Sequence, residues 1–372
     1  MSTTLISPPP TDLEAALRLD FRSDTITHPT AAMREAMASA PVGDDVFAED
    51  PSINALEAEA ARLFDKQAGL LVASGTQGNL VAMLSLTHPG EEVIAETTSH
   101  IANSEVGGAA RLGGLTLRPL IGKAGKLSPE QVAATVRPEN VHYARTALLA
   151  VENSHNASGG TVLTPDEMAA LVQTARRYGL KVHVDGARIF NAAVALGVAP
   201  ATLARGADTL TFCLSKGLSA PVGSVLVGSH ETIELARRFR KMLGGGMRQA
   251  GILAAAGLVA LQSSIDRLAD DHRRARRLAE ALSNVPGVSV DLSSVQTNIV
   301  RFDVGGLGYT TTGFVDALRP YGVRVSGGAP PSGVRMVTHR HIDDASIDEA
   351  LAAIQRLPLG NSSQPAARAV YG

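Results

Sequence analysis

Seven short apolar runs rich in β-branched residues are spaced through the first two thirds of the chain: GLLVAS, EEVIAE, TLRPLI, ALLAVEN, KVHVDGA, ADTLTFC and GSVLVG. Stretches with helical spacing stand before and between them, among them AAMREAMAS, INALEAEAARLF, GTQGNLVAMLSLT and TPDEMAALVQTARRYG. Few architectures satisfy near-continuous apolar strands that alternate with helices. The pattern predicts an α/β domain with a mostly parallel sheet covered on both faces. A ligand is then expected at the carboxyl ends of the strands.

Near residue 262 the pattern changes to a long charged amphipathic helix, IDRLADDHRRARRLAEALS, followed by VSVDL, TNIVRFDV and GVRMVTH as strands. We therefore expect an N-terminal arm over 1–18, a large domain over 19–262, a smaller α+β domain over 263–358 and a loose tail over 359–372. Acidic and basic residues are interspersed on the long helix, which reads as a solvated face.

Composition narrows the function classes. A chain of 372 residues, 45% of them hydrophobic, can bury a sizeable core, and a formal net charge of −2 gives no footprint for nucleic acid. No apolar run reaches the roughly 18 residues of a membrane span, and the N-terminus carries no basic segment with an apolar signal core. A soluble cytoplasmic protein is the expectation. The single cysteine, Cys213, excludes an intrachain disulfide and a multi-cysteine metal site, and reads as a small buried filler. Scarce aromatics with abundant Ala and Gly predict helices that pack closely through small side chains.

Three motifs carry little. GGLGYTTTG lacks a dinucleotide-binding spacing and reads as a loop. IGKAGK has no Ser or Thr after a Gly-Lys pair, so it is not a phosphate loop. THRH, with His339 and His341, has no accompanying carboxylate or cysteine pattern, and no metal is expected.

Four separated features point to one chemistry. In VASGTQGN a strand gives way to a helix whose first N–H groups suit a phosphate, although a simple Ser cap explains the same letters. In KVHVDGAR, Asp185 ends a strand with Arg188 three residues on, and a cap is an equal reading of that aspartate. In TLTFCLSKGLSAPVGS, Lys216 follows a strand, where alone it reads as snorkelling to solvent. In TTSHIANSEVGG, His100 follows another strand and alone reads as structural. Pyridoxal phosphate needs this set: a lysine for a Schiff base, a carboxylate to keep the ring nitrogen protonated, and a helix N-terminus for the phosphate. An imidazole flat on the ring is the place for His100. Gly217 and Gly223 are expected to let the chain turn closely beside Lys216.

Taken in order, FRSDTITHPT, VGDDVFAEDP, SGTQGN, HYARTALLAVENSHN, VHVDGARIFNA, CLSKGLSAPVGSVLVG and RKMLGGGMRQAGILAAAG resemble the low-specificity L-threonine aldolases over roughly residues 19–357. The resemblance implies a fold type I, aspartate-aminotransferase-like pyridoxal phosphate enzyme that cleaves β-hydroxy-α-amino acids to glycine and an aldehyde. By the same resemblance Lys216 carries the cofactor, Asp185 pairs with the ring nitrogen, and His100 stacks on the ring. Gly75 and Thr76 hold the phosphate, with Arg248 reaching it from a neighbouring subunit of a homotetramer. Ser23, Arg188 and Arg335 bind the substrate carboxylate, His142 approaches the β-hydroxyl, and Lys241 lines the shared site. His100, His142 and an ordered water are the candidates for the base. The chain departs from the family pattern at Phe47 and Ala48, where tyrosine and glycine are usual, and the wall at Ser104 leaves diastereomer preference open. Rival readings are another pyridoxal phosphate activity, such as β-elimination, racemisation or hydroxymethyl transfer, and a non-catalytic scaffold on the same fold.

Overall fold

The computed structural model describes residues 17–329 and 331–360, in two units: His28–Ala269, and residues 17–27 together with 270–360. The expected arm and tail lie almost wholly outside the described residues. The division differs from the expected one in two respects. The boundary falls after Ala269, not after residue 262, and residues 19–27 belong with the second unit.

The larger unit holds a seven-stranded sheet of β1 (Ala68–Val72), β2 (Glu92–Glu96), β3 (Thr116–Leu120), β4 (Thr146–Glu152), β5 (Lys181–Asp185), β6 (Thr209–Cys213) and β7 (Ser224–Gly228). Their order is β1-β7-β6-β5-β4-β2-β3. β6, β5, β4, β2 and β3 run parallel, whereas β7 is antiparallel to both β6 and β1. Each predicted strand forms, and β2, β4, β6 and β7 are buried along their whole length, as both-face covering requires.

Small side chains let the helices come close. In Gly251–Ser263, Ala254, Ala256, Gly257 and Ala260 are buried, and a Cβ on Gly257 would stand 3.0 Å from Leu214 and 3.1 Å from Leu56. The scarce aromatics are pooled: the rings of Phe64, Phe190 and Phe212 lie 5.2–5.5 Å apart in the core. Such tilted pairs contribute beyond their buried area. Among the described residues no single helix is long and apolar enough to cross a membrane.

The helix Gly75–Leu86 sits on the sheet by virtue of Gly78, where a Cβ would fall 2.5 Å from Thr211 Cγ2 and 3.0 Å from Thr211 Oγ1. Thr211 is fully buried and stiff at χ1, so it cannot step aside. Gly78→Ala should therefore lower stability by about 1–3 kcal/mol, the usual cost of overpacking, despite alanine's better helix propensity. Urea unfolding followed by far-UV circular dichroism checks this; an unchanged or raised midpoint would contradict the close approach.

The second unit carries a four-stranded antiparallel sheet in the order β10-β11-β9-β8, with β8 (Ser289–Val290), β9 (Ile299–Asp303), β10 (Ser326–Gly327) and β11 (Gly333–Val337). Residues 19–21 join it by backbone bonds: Phe21 N–H to Arg324 O (2.7 Å), Arg324 N–H to Leu19 O (2.9 Å) and Val337 N–H to Phe21 O (2.8 Å). Two set-aside motifs resolve here. The second half of GGLGYTTTG is not a loop, because Thr310 caps the helix Thr311–Leu318 by accepting from Gly313 N–H. In THRH, His339 is fully buried with Nε2 2.8 Å from the Asp20 carbonyl oxygen.

Candidate active site

Asp185 is the last residue of β5 and only 3% exposed. Its Oδ1 accepts the Ala187 N–H (3.1 Å) and its Oδ2 accepts an N–H of the Asn79 amide (2.9 Å). It therefore makes the turn that a cap would make and keeps a charged face for other work. Asn79 lies one helical turn into Gly75–Leu86, on its sheet-facing side, and is 1% exposed. The same amide nitrogen donates to Glu105 Oε1 (2.7 Å), and that oxygen lies 2.8 Å from His100 Nδ1.

His183, two residues before Asp185, is completely buried, with Nδ1 2.8 Å from Thr209 Oγ1 and Nε2 3.0 Å from Asn79 Oδ1. Burial pushes its pKa down to about 4, with the Asp185 charge opposing. A neutral His183 presents one donor and one acceptor. Since Asn79 Oδ1 can only accept, Nε2 carries the hydrogen and Nδ1 accepts from Thr209. That fixes the Asn79 amide, with its NH2 facing the two carboxylates.

His100 opens a short helical turn after β2 and is half-buried. Its backbone N–H donates to Glu152 Oε2 (2.6 Å), while Glu152 Oε1 accepts the Asn156 N–H (2.7 Å). The hydrogen bond to Glu105 raises the His100 pKa, and Asp185 and Lys216 act on the ring in opposite senses. Burial pushes the Glu105 carboxyl up, and burial followed by the Asp185 charge pushes Glu152 up. One polar side-chain atom from each of His100, Glu105 and Asp185 lies within 4.8 Å of the other two.

Lys216 is half-buried three residues beyond β6, in a loop held by Ser219 N–H to Lys216 O (2.8 Å), Ala220 N–H to Leu214 O (3.0 Å) and Leu214 N–H to Gly223 O (3.0 Å). Gly223 takes a positive φ of +99°, which glycine adopts without strain. Ser219 in the same loop is left-handed (φ +68°). Gly75 lies against the end of β6, where a Cβ would meet Cys213 Sγ at 3.0 Å. Cys213 itself is 5% exposed and accepts from Ser224 Oγ, the buried filler expected. Ser74 caps the helix by accepting from Gln77 N–H, and its carbonyl takes the Gly78 N–H, so the amides of Gly75 and Thr76 head the helix.

The remaining residues are dispersed. Arg188 is 5% exposed and donates to Asn156 Oδ1 (3.2 Å), which links it to Glu152. Lys241 and Arg248 lie around a loop at residues 43–50. Lys241 lines a cavity of about 300 Å³ with Asp45, Val46, Arg237, Arg240 and Gly246. Arg248 is exposed, with its guanidinium 3.3 Å from Asp44 Oδ2 and its carbonyl accepting the Asp45 N–H. Arg240, 2% exposed, fastens the loop by binding Asp45 and the Leu71 carbonyl. In that loop Phe47 is 71% exposed and Ala48 is left-handed (φ +57°), the conformation that glycine adopts without strain. His142 is exposed between residues 135 and 146, its N–H donating to Asn140 Oδ1 (2.9 Å). Ser23 and Arg335 belong to the second unit, where they are neighbours. Ser23 Oγ caps a short turn by accepting Thr25 N–H, and Arg335 Nη1 donates to the carbonyl of Arg22 (3.4 Å).

Sequence reasoning missed Asn79, Glu105, Glu152, Asn156 and His183. The signal for His183 was present: strand residues two apart share a face, so it had to project with Asp185. Glu105 had no such signal.

The beta-eliminating lyase family matches residues 20–304. The low specificity L-threonine aldolase of Escherichia coli O157:H7 is 44% identical over 335 residues, 90% of this chain and 97% of that protein. Low-specificity L-threonine aldolase 1 of Arabidopsis thaliana is 41% identical over 346 residues, 92% and 96% of the two chains. The fold is that of the Leishmania major threonine aldolase structure, with a TM-score of 0.75 at 20% identity over 91% of this chain and 98% of that one.

Proposed function

We propose that this chain, which belongs to the beta-eliminating lyase family and within it to the low-specificity L-threonine aldolases, cleaves L-threonine, L-allo-threonine and related β-hydroxy-α-amino acids to glycine and an aldehyde with pyridoxal 5′-phosphate. One observation carries the reading. A buried carboxylate, a lysine and a glycine-headed helix gather at the carboxyl edge of one sheet, with Asp185 ending β5, Lys216 following β6 and Gly75 against Cys213.

The donor set suits the cofactor. The Gly75 and Thr76 amides at the head of a 12-residue helix suit a phosphate ester, Asp185 suits a protonated ring nitrogen, and the Lys216 amine suits an aldehyde carbon. When bound, the cofactor supplies an electron sink for the pair left on the α-carbon as the Cα–Cβ bond breaks.

The protein's part is positioning and proton movement. Arg188, braced on Asn156, holds the substrate carboxylate, and that grip selects which bond to the α-carbon breaks. His100, His142 or a water takes the β-hydroxyl proton. Lys241 and Arg248 act from one subunit of a homotetramer on the site of another. Their place beside exposed Phe47 and Met242, 71% and 74% accessible, supports a buried assembly interface there.

The test is a substrate panel of L-threonine, L-allo-threonine and β-phenylserine with the cofactor-loaded protein. Glycine with free aldehyde is expected; ammonia with a keto acid would replace the aldolase by the β-elimination reading.

A further inference from the structure

We infer that Glu105 is a positioning residue for His100: its carboxylate holds the imidazole by Nδ1 and is tied through the Asn79 amide to Asp185, so the two groups facing the bound ring are set together. The inference deepens the proposed function and rests on it for the identity of that ring. The contacts themselves are independent of it.

Three observations converge. Glu105 is 6% exposed, and a single oxygen, Oε1, meets both His100 Nδ1 (2.8 Å) and Asn79 Nδ2 (2.7 Å). The Asn79 amide is oriented by His183 and spends its N–H groups on Glu105 and Asp185, so it cannot turn without breaking a buried contact. The backbone is bent to allow this. Val106 adopts φ +54°, a genuine outlier for a β-branched residue, with its side chain wholly exposed. An unconstrained surface turn would relax by letting Glu105 swing to water. Instead the turn is closed by Gly108 N–H to Glu105 O (2.9 Å), and the strain is carried by a residue with nothing to pack against.

The charged groups around His100 are Glu105, Asp185, Glu152 and Lys216, of which Glu152 binds the His100 backbone N–H. Glu105 is the one whose side chain hydrogen-bonds the ring. With Nδ1 held by a carboxylate, Nε2 is left to face a substrate proton or ring. Neutralising that carboxylate while keeping an acceptor oxygen should therefore weaken the proton on His100 without moving the ring.

The experiment is C2-hydrogen exchange of individual histidines, read by mass spectrometry against pH on the cofactor-free protein. Glu105→Gln should lower the His100 midpoint by at least about one pH unit, a tenfold change in its ionisation constant. In the cofactor-loaded enzyme, the limb of the pH–kcat profile that reports His100 should move by the same amount. Glu105→Asp, which keeps the charge but withdraws it by one carbon, should give an intermediate midpoint and serves alone if Glu105→Gln does not fold. A midpoint unmoved in a folded variant overturns the inference. A shifted midpoint with no aldehyde released by the cofactor-loaded wild-type enzyme from any β-hydroxy amino acid would leave Glu105 in its role and sink the aldolase reading. Normal cleavage with an unmoved midpoint does the reverse.

Discussion

Asp185→Asn in the cofactor-loaded protein should lower kcat for β-hydroxy amino acid cleavage about a thousandfold, and Lys216→Ala should abolish it. The aspartate's two oxygens are both acceptors, one for Ala187 N–H and one for Asn79. An asparagine has one acceptor and one donor, so whichever way it turns, its NH2 faces an N–H. The variant also removes the charge opposite a protonated ring nitrogen in a site only 3% exposed. Leaving a buried charge unpaired costs on the order of 3–5 kcal/mol, and each 1.36 kcal/mol is about tenfold in rate. For Lys216→Ala the loss is of a different kind, because alanine has no amine to form the covalent anchor. Steady-state rates with cofactor content measured by absorbance separate lost binding from lost catalysis. Turnover of either loaded variant within tenfold of wild type would remove these residues from the proposed roles.

Why these two residues were legible and their supports were not follows from how each is placed. Asp185 and Lys216 end or follow apolar runs punctuated by glycine, and strand ends are where an α/β sheet exposes chemistry. Their addresses are local. The reversal of β7 was also within reach, because only ten residues, Leu214–Gly223, connect it to β6, and a parallel partner needs a crossover of a dozen or more. The partition of the N-terminal segment was not, since Phe21 pairs its backbone with residues near 324 and 337, and no local pattern announces so distant an edge. Glu105 depends on a left-handed valine, a conformation that valine's own preferences argue against. Ser219 makes the same point: a serine buried in the hydrogen-bonded Lys216 loop is left-handed, against its own preference.

His183 leads to the second large effect, on stability. Its folded pKa is about 4, against about 6.5 for a free imidazole, so it is neutral in the native state throughout that window. As pH falls below 6.5 the unfolded chain takes up a proton that the folded one refuses, and stability is lost until pH reaches the folded value. The contribution is thus fully present above 6.5 and gone near 4, a change of about 3 kcal/mol at 1.36 kcal/mol per pH unit. Glu57, Glu105 and Glu152, whose carboxyls are raised chiefly by burial, act in the opposite sense and flatten the net curve. The histidine's share must therefore be read as a difference. His183→Gln can still donate to Asn79 Oδ1 and accept from Thr209, but it does not titrate. The stability gap between wild type and this variant, from urea unfolding followed by circular dichroism, should narrow by about 3 kcal/mol between pH 6.5 and 4. A gap that stays constant across the window would mean that His183 is protonated in place, and the Asn79 amide would then lose the orientation that ties Asp185 to Glu105.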